Sequence, residues 1–303
     1  MIRVRELRKS YGSYIALDGV SFDVAKGTTF GFLGPNGAGK TTAISIMCGL
    51  LRADGGSVSL GGKSDPSKMD VRAGLSVVPQ ALAIYEELSA RENLSFFGKM
   101  CGLGGSLLAE RIDYCLELAG LKERSFVQTS KFSGGMKRRL NLACSLINDP
   151  DIILLDEPTV GVDPQSRNSI FQTIDAFKAQ GKTVVYTTHY MEEAQRLCDN
   201  ILILDKGKVL AAGTLNELIE EHGGTSYIEA EMTRELDDAA PLTPFILGKN
   251  VQLNGNILRF ETNEPMKALA QLNQSGYRFV SIKTGSPTLE EVFLNLTGKS
   301  LRD

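Results

Sequence analysis

The chain has 303 residues, of which 42% are hydrophobic and 23% are charged, a balance typical of a folded protein with about two domains. Its net charge of −3 argues against a dedicated nucleic-acid binder, which usually carries a basic face. Lys137, Arg138 and Arg139 form one small basic cluster. The sequence has no secretory signal and no run of about 18 apolar residues, so we expect any work at a membrane to depend on a partner.

The first half of the sequence predicts an α/β core that is interrupted by helices. Strands are predicted at residues 2–4, 16–17, 20–24, 29–33, 57–60 and 75–78. The strand Thr29–Leu33 leads through a glycine-rich turn into a helix from Lys40 to about Leu50, which is how a parallel α/β unit begins. From about Leu88 to Asn148 the apolar residues recur at helical spacing, so we expect a helical insert within the core.

The second half of the sequence predicts the rest of this core and then a second domain. The remaining core elements are predicted as strands at 152–155, 183–186 and 201–204, a helix at 170–180 and a hairpin strand at 208–212. After Gly223 and Gly224 the pattern changes to that of a small α+β unit. Its predicted elements are strands at 227–232 and 277–283, a hairpin across 254–256, and helices at 265–274 and 288–296. We therefore expect one domain at 1–222, with a helical part at about 81–148, and a second at 225–303.

A glycine-rich loop between the buried strand and its helix carries the strongest chemical signal. The loop fits the pattern G-x-x-x-x-G-K-[ST] and comprises Gly34, Pro35, Asn36, Gly37, Ala38, Gly39, Lys40, Thr41 and Thr42. Glycines let successive backbone N–H groups curl around a phosphate, and the N-terminus of the helix adds its positive end. Lys40 would reach the β- and γ-phosphates, and Thr41 would offer its hydroxyl to Mg²⁺. The pattern predicts a loop that binds the phosphates of a nucleotide.

Two carboxylates follow a second buried strand. Residues 152–155 are all apolar, and Asp156 and Glu157 come directly after them, at the strand end where ligands bind in a parallel sheet. Asp156 would hold Mg²⁺, directly or through water, and Glu157 would orient and deprotonate the attacking water as a general base. Alone, such an acidic strand end could equally cap a solvent-facing loop. Beside the phosphate loop it predicts nucleotide hydrolysis.

A Ser-Gly-Gly sequence lies shortly before this acidic strand. Ser133, Gly134 and Gly135 open a predicted helix with an exposed N-terminus, which suits a γ-phosphate. Taken alone, the serine would be an ordinary helix cap. In its place after the phosphate loop and before the carboxylates, the segment resembles the signature motif of the ABC ATPases, usually written LSGGQ. Phe132 and Met136 depart from the usual Leu and Gln, and neither departure removes the serine or the glycines.

The resemblance to the ABC ATPases extends along residues 1–220 and implies further site residues. It implies that Tyr11 stacks on adenine and that Gln80 contacts Mg²⁺ or the attacking water. It also implies that Asp163 belongs to the nucleotide-binding set at a dimer seam and that His189 contacts the γ-phosphate. ATP and Mg²⁺ are the implied cofactors, and two subunits would pack head to tail so that the signature of one closes on the ATP of the other. The implied fold class is α/β, a P-loop NTPase of the ABC type with a mixed sheet core, an antiparallel β subdomain and a helical subdomain.

The C-terminal region resembles the domain appended to the ATPases of drug-resistance type exporters. The resemblance covers about residues 225–303, and its most telling part is Pro287–Leu294. It implies a small accessory α+β domain. Regulation, a dimer contact and simple stabilisation stay open as its role.

These observations favour the ATP-hydrolysing motor of an ABC transporter, and the C-terminal resemblance favours export. We expect a separate membrane-spanning permease chain as one partner, a second ATPase subunit as another, and no nucleic acid. The protein would then work at the cytoplasmic face of the cell membrane. Within Ala81–Leu94, the residues expected to contact the permease are Leu82, Ile84 and Tyr85.

The sequence supports two other functions less well, and it does not indicate which substrate is transported. A soluble ABC ATPase acting on ribosomes or DNA would usually carry two ATPase domains, zinc modules or long coiled coils, none of which is visible in this sequence. A P-loop kinase for a small molecule would explain neither the Ser-Gly-Gly sequence nor His189.

Overall fold

The structure is a computed structural model that describes residues 1–236 and 238–299. The described residues form two compact units, one comprising Met1–Leu215 and the other comprising 216–299. The division falls at the start of a helix, Leu215–His222, a little before the predicted domain end at 222. The predicted second domain also includes residues 237 and 300–303, which lie outside the described residues. The predicted domain limits therefore stay a prediction.

The larger unit contains strands and helices in alternation. Its strands are β1 (Ile2–Tyr11), β2 (Tyr14–Val24), β3 (Thr29–Leu33), β4 (Gly55–Leu60), β5 (Lys63–Ser64), β6 (Leu75–Val78), β7 (Ile152–Asp156), β8 (Thr183–Thr188), β9 (Asn200–Asp205) and β10 (Lys208–Gly213). Its helices are α1 (Lys40–Met47), α2 (Met69–Arg72), α3 (Ala90–Met100), α4 (Gly105–Leu118), α5 (Gly134–Ser145), α6 (Pro164–Ala179) and α7 (Met191–Leu197), with short 3-10 turns at Lys122–Arg124 and Thr129–Lys131. Helix α8 (Leu215–His222) follows at the division between the units.

A mixed six-stranded sheet lies at the centre of this unit, in the order β10-β9-β3-β8-β7-β6. The four pairings from β9 to β6 are parallel, and β10 is antiparallel to β9. Every residue of β3, β7 and β8 is buried, as expected for apolar strands covered on both faces. Thr188 pairs with Leu33 and Thr187 pairs with Asp156, so the C-terminal ends of these three strands meet at one edge. The predicted parallel core is confirmed.

The antiparallel sheet of this unit, in the order β2-β1-β4-β5, differs from the prediction in one respect. The sequence predicted three short strands in residues 1–25, but the structure has two long ones joined by a tight turn at Gly12 and Ser13. The prediction was wrong because the register between β1 and β2 shifts at three places, the first between Val4 and Leu7. Each shift interrupts the alternation of inward and outward side chains from which strands are recognised.

Helices α3, α4 and α5 form the predicted helical insert, which is confirmed. They share an apolar cluster whose fully buried members include Leu94, Leu116 and Leu140. Helix α3 begins with a capping box, because the Ser89 hydroxyl accepts the Glu92 N–H while the Glu92 carboxylate accepts the Ser89 N–H. Helix α6 begins six residues before its predicted start, since Asp163 caps it and Pro164 occupies its first turn.

The smaller unit is an α+β arrangement, as predicted. Its elements are β11 (Ser226–Met232), β12 (Lys249–Asn254), β13 (Ile257–Thr262), β14 (Phe279–Gly285), α9 (Pro265–Asn273) and α10 (Leu289–Thr297), with a 3-10 segment at Ala240–Phe245. The strands form one antiparallel sheet in the order β12-β13-β11-β14. One face of this sheet packs its buried side chains, such as Ile228 and Phe260, against Leu242 and the α9 residues Ala268 and Leu272.

No helix of the described residues combines the length and the apolar character that crossing a bilayer requires.

Candidate active site

The phosphate loop connects β3 to α1 with a backbone that needs its glycines. Gly37 and Gly39 have φ angles of 81° and 109°, in the left-handed region that residues with side chains rarely adopt. A Cβ atom on Gly39 would lie 2.5 Å from the carbonyl oxygen of Ala16, and one on Gly34 would lie 2.2 Å from that of Leu204. The loop therefore fits only because these positions lack side chains.

Lys40 is buried, and its ammonium group faces back into the loop. Its Nζ donates to the carbonyl oxygens of Gly34, at 2.6 Å, and Pro35, at 3.0 Å. It also forms an ion pair of 3.0 Å with Oε1 of Glu157. The cation that the sequence assigns to phosphate thus neutralises the buried carboxylate that the sequence assigns to general-base catalysis.

Asp156 and Glu157 are held by a residue that the sequence analysis missed. The Thr187 hydroxyl, on β8, donates to Oδ1 of Asp156 at 2.7 Å and accepts the backbone N–H of Glu157 at 2.9 Å. Glu157 itself has a φ of 46°, a conformation that is unfavourable for a residue with a side chain. The only sequence signal for Thr187 is its place at the end of a buried strand, just before His189.

Gln80 and His189 converge on the carboxylate of Glu157. The Gln80 Nε2 donates to Oε2 of Glu157 at 3.2 Å. Nδ1 of His189 lies 3.4 Å from Oε1 and is buried without a hydrogen-bond partner among the described residues. The structure therefore brings together Lys40, Gln80, Glu157 and His189, all of which were predicted as site residues.

Arg138 reaches the same place from the helix α5. Its side chain is only 5% exposed, and Nη1 donates to the carbonyl oxygen of Gln80 at 2.6 Å. Its Nη2 lies 3.4 Å from the carbonyl oxygen of Glu157. Burial lowers the pKa of this guanidinium, which nevertheless stays charged because arginine is so basic.

The three residues of the small basic cluster, Lys137, Arg138 and Arg139, each bind a different group within the protein. Lys137 pairs with Glu86 at 2.6 Å, and Arg139 donates to the carbonyl oxygen of Ala119. Arg138 follows Gly135 by three residues and precedes Leu142 by four, and both of these residues are buried. Helical spacing could thus have placed Arg138 on the buried side of α5.

A cavity of about 310 Å³ opens above the phosphate loop. Its lining residues are Tyr14, Ala16, Asn36, Gly37, Ala38, Gly39, Lys40, Thr41, Thr42, Gln80 and Glu157. Tyr11, the residue predicted to stack on adenine, is not among them, whereas Tyr14, which pairs with Tyr11 across the hairpin turn, is. The Tyr14 hydroxyl donates to the carbonyl oxygen of Gly37 at 2.9 Å. The stacking role of Tyr11 stays a prediction, and Tyr14 joins the candidate residues.

The Ser-Gly-Gly sequence and Asp163 form a second group in the same unit, away from the lining of this cavity. Ser133 caps α5, because its hydroxyl accepts the N–H of Met136 at 3.3 Å. A Cβ atom on Gly134 would meet no atom within 4 Å, but one on Gly135 would lie 2.0 Å from Oγ of Ser166 and 2.8 Å from Oδ2 of Asp163. Gly134 is therefore open to a ligand or partner, whereas Gly135 lets α5 approach the start of α6.

Asp163 acts as the cap of α6 in this structure. Its Oδ1 accepts the N–H of Ser166 at 2.9 Å, and the hydrogen bonds from Ser166 lower the pKa of the Asp163 carboxyl. The carboxylate is therefore ionised at neutral pH and is oriented by its own helix. Its predicted place at a dimer seam stays a prediction.

The donor set near the phosphate loop fits a magnesium ion. Asp156 is almost completely buried and has one carboxylate oxygen fixed by Thr187, and Thr41 and Gln80 line the cavity. A carboxylate, a hydroxyl and an amide oxygen are the hard oxygen donors that Mg²⁺ prefers, usually with phosphate oxygens and water.

The fold and this site define a P-loop ATPase with a helical insert. A family profile described as "ABC transporter" matches residues 17–160. The linearmycin resistance ATP-binding protein LnrL of Bacillus subtilis is 38% identical over 316 residues, covering 100% of both chains. The Nod factor export ATP-binding protein I of Cupriavidus pinatubonensis is 40% identical over 306 residues, covering 100% of this chain and 92% of that protein. The chain therefore belongs to the family of ABC transporter ATP-binding proteins.

Solved structures of ATP-binding cassettes resemble the larger part of the chain. One, an ATP-binding subunit of an ABC transporter, is 29% identical with a TM-score of 0.67, and the match covers 74% of this chain and 93% of that one. Another, a dimeric post-hydrolysis state of the cassette MJ0796 bound to ADP and Pi, is 27% identical with a TM-score of 0.65 and covers 71% of this chain and 99% of its own. The chain is thus an ATP-binding, ATP-hydrolysing subunit of an ABC transporter, and the similar cassette bound to ADP and Pi is a dimer.

Proposed function

We propose that this subunit drives export through a separate membrane-spanning chain and that Glu157 is the general base of its ATP hydrolysis. The observation that carries the catalytic part is the convergence of Lys40, Gln80 and His189 on one buried carboxylate. Export is supported by the names of similar proteins, which refer to linearmycin resistance and to Nod factor export. The cargo of this chain is not implied by those names.

Hydrolysis would begin when the phosphates of ATP replace Glu157 as the partner of Lys40. The N–H groups of the phosphate loop and the Lys40 ammonium would then hold the β- and γ-phosphates. Released from its ion pair, Glu157 would accept a proton from the attacking water, which Gln80 helps to orient. His189, whose Nδ1 has no hydrogen-bond partner among the described residues, would donate to the γ-phosphate. Thr41 and Asp156 would hold Mg²⁺, which neutralises charge on the phosphates when bound.

The dimer would be a homodimer closed by ATP. Gly134 lies at the N-terminus of α5 with open space around it, and such a helix end binds anions. The Ser133–Gly135 segment of one subunit would therefore contact the γ-phosphate bound by the other. ATP favours the closed dimer because it contacts both subunits only in that state.

The segment after Gln80 is the proposed contact with the membrane-spanning chain. Leu82 and Tyr85 are exposed large apolar side chains, and Ile84 is partly buried against the helical cluster. The Tyr85 ring also lies 4.8 Å from the exposed ring of Phe96, centroid to centroid. Exposed aromatic side chains grouped in this way are typical anchors of protein interfaces. This contact would hold the subunit at the cytoplasmic face of the cell membrane.

The smaller unit is proposed to be the accessory domain of drug-resistance type exporters. Its last helix, α10, begins within Pro287–Leu294, the segment on which that resemblance depends, and Thr288 and Glu291 form a capping box at its start. The two roles proposed for this unit are regulation of the ATPase and a second dimer contact. We expect neither unit to bind nucleic acid.

Purification of a trapped dimer tests the proposal. Tagged Glu157→Gln protein would be purified with ATP from detergent-solubilised native membranes and its partners identified by mass spectrometry. We expect turnover to fall by about 100-fold or more, an ATP-dependent dimer, and a stoichiometric polytopic membrane protein. The control is Glu157→Gln protein that also carries Lys40→Ala, which should form no ATP-dependent dimer. Recovery of ribosomal or DNA-associated proteins without a membrane protein would overturn the transport proposal.

A further inference from the structure

Two side chains bind the backbone of Glu157, one on each side of its α-carbon. The Thr187 hydroxyl accepts its N–H at 2.9 Å, and Nη2 of Arg138 lies 3.4 Å from its carbonyl oxygen. Glu157 has a φ of 46°, and such a conformation persists only where its surroundings enforce it. The position of the proposed base is therefore set by groups outside its own strand.

The charge of Arg138 is unusual because it is buried without a carboxylate partner in the described part of the chain. All its hydrogen bonds go to backbone carbonyl oxygens, those of Pro79, Gln80, Glu157 and Val160. Burying an unpaired charge is costly, and an apolar residue at this position would avoid that cost. Stability of the helical insert alone does not account for an arginine here.

The contacts of Arg138 form a closed ring that includes Gln80 and Glu157. Its Nη1 holds the carbonyl oxygen of Gln80 at 2.6 Å, and the side chain of Gln80 donates to Oε2 of Glu157 at 3.2 Å. Its Nη2 contacts Glu157 directly from the other side. Because Arg138 lies on α5, five residues after Ser133, movement of the helix that carries the signature sequence changes both contacts.

We propose that Arg138 is a positioning residue that links the signature helix to the catalytic base. It orients Glu157 and Gln80 together, so that the base points at the attacking water only when α5 is in its closed-dimer position. The inference rests on the proposed role of Glu157 as the base. Arg138 is not among the residues that line the phosphate-loop cavity.

Steady-state ATPase measurements on Arg138→Met and Arg138→Lys test this inference. Arg138→Met removes charge-assisted hydrogen bonds to the base and to Gln80, so we expect kcat to fall by about 10- to 100-fold. KM for ATP should change by less than about 3-fold, since the phosphate loop is untouched. Arg138→Lys, which keeps the charge but cannot reach two carbonyl oxygens at once, should recover part of kcat.

The matched control is Arg111→Met. Arg111 also donates to backbone carbonyl oxygens, those of Leu146 and Ile147 just after α5, but it contacts neither Gln80 nor Glu157. We expect wild-type kcat for this variant at a temperature where it is folded. Should Arg138→Met fail to fold, the Arg138→Lys variant alone decides, because a lowered kcat at unchanged KM is still expected.

Three outcomes separate this inference from the proposed function. An inactive Glu157→Gln variant beside Arg138 variants with wild-type kcat would overturn the positioning role and leave the base in place. A fully active Glu157→Gln variant would overturn the base assignment itself and the inference with it. A rise in KM that equals the loss of kcat/KM, with kcat unchanged, would show that Arg138 serves ATP binding and would overturn the inference.

Discussion

Thr187 links the two acidic residues of the site, although it carries no charge itself. Its hydroxyl is both a donor to Asp156 and an acceptor from the Glu157 N–H, and the residue is fully buried. Without this hydroxyl the Glu157 N–H would have to stay buried and unpaired, which costs about 1–3 kcal/mol. One buried side chain therefore fixes the positions of both the proposed metal ligand, Asp156, and the proposed base, Glu157.

Thr187→Val should lower kcat by about 10-fold or more, because the isosteric valine cannot bond either group. Thr187→Ser keeps the hydroxyl and loses one methyl group, so its kcat should stay within about 3-fold of wild type. ATPase kinetics on both variants, at a temperature where both are folded, make the comparison. A larger loss of kcat in Thr187→Ser than in Thr187→Val would mean that packing of the methyl group, and not the hydroxyl, is what matters.

Tyr14 gives a second prediction at the level of one residue. Its hydroxyl anchors the Gly37 carbonyl oxygen at 2.9 Å, but the side chain is 53% exposed, so this bond contributes little to stability. We expect Tyr14→Phe to raise KM for ATP by about 2- to 5-fold with little change in kcat. Tyr11→Phe is the matched control, since it keeps the ring predicted to stack on adenine. A larger rise in KM for Tyr11→Phe than for Tyr14→Phe would contradict the assignment.

Among the elements, α5 approaches the start of α6 so closely that only a glycine fits between them. A Cβ atom on Gly135 would lie 2.0 Å from Oγ and 2.6 Å from Cβ of Ser166. Such a contact forces a side chain or the helix itself to move. On Gly134, one residue earlier, the same Cβ atom would meet nothing. Glycine thus occupies the two positions of the signature sequence for different physical reasons.

Replacing each glycine in turn by alanine should distinguish the role of Gly134 from that of Gly135. Gly135→Ala should lower the free energy of unfolding by about 1–3 kcal/mol through overpacking. Gly134→Ala should leave this free energy unchanged or slightly raised, because alanine favours the helix, and should still weaken the ATP-dependent dimer of the Glu157→Gln protein. Denaturant unfolding and size-exclusion chromatography with ATP measure the two effects. Loss of stability in Gly134→Ala, or a stable Gly135→Ala, would contradict this division.

How far the elements follow from the sequence depends on whether their pattern is regular. The strands β3, β6 and β7 were predicted almost to the residue, because each is a short apolar run next to a turn or loop. The strands β1 and β2 were predicted as fragments, because register shifts break their alternation. Local periodicity carries no information about such shifts, which depend on the partner strand.

For the site, motifs predicted the groups that are proposed to act on ATP but not the groups that hold them in place. Lys40, Gln80, Glu157 and His189 meet as expected, because parallel strands bring their C-terminal ends to one edge. The role of Thr187 and the contacts of Arg138 needed the structure, since their hydrogen bonds join residues 19 to 59 positions apart. Long-range hydrogen bonds of this kind leave no spacing pattern in a sequence.

In the whole molecule, the residues that line the phosphate-loop cavity all belong to the unit Met1–Leu215. A ligand bound there stabilises the part of the protein that holds it, by about 2.7 kcal/mol at a concentration of 100 Kd. The smaller unit has its own buried cluster and its own sheet. A chain of two such units need not unfold in one step.

We therefore expect two unfolding transitions in differential scanning calorimetry. ADP with Mg²⁺ should raise the Tm of the transition that belongs to the larger unit and leave the other Tm unchanged. ADP is the suitable ligand because it should occupy the loop without closing the dimer. For a unit of this size the expected rise in Tm is about 5–10 °C. The Lys40→Ala variant, which lacks the cation proposed to bind phosphate, should show no such rise. A single transition that moves as a whole with ADP would mean that the two units unfold as one cooperative block, and the smaller unit would then sense the nucleotide through its neighbour.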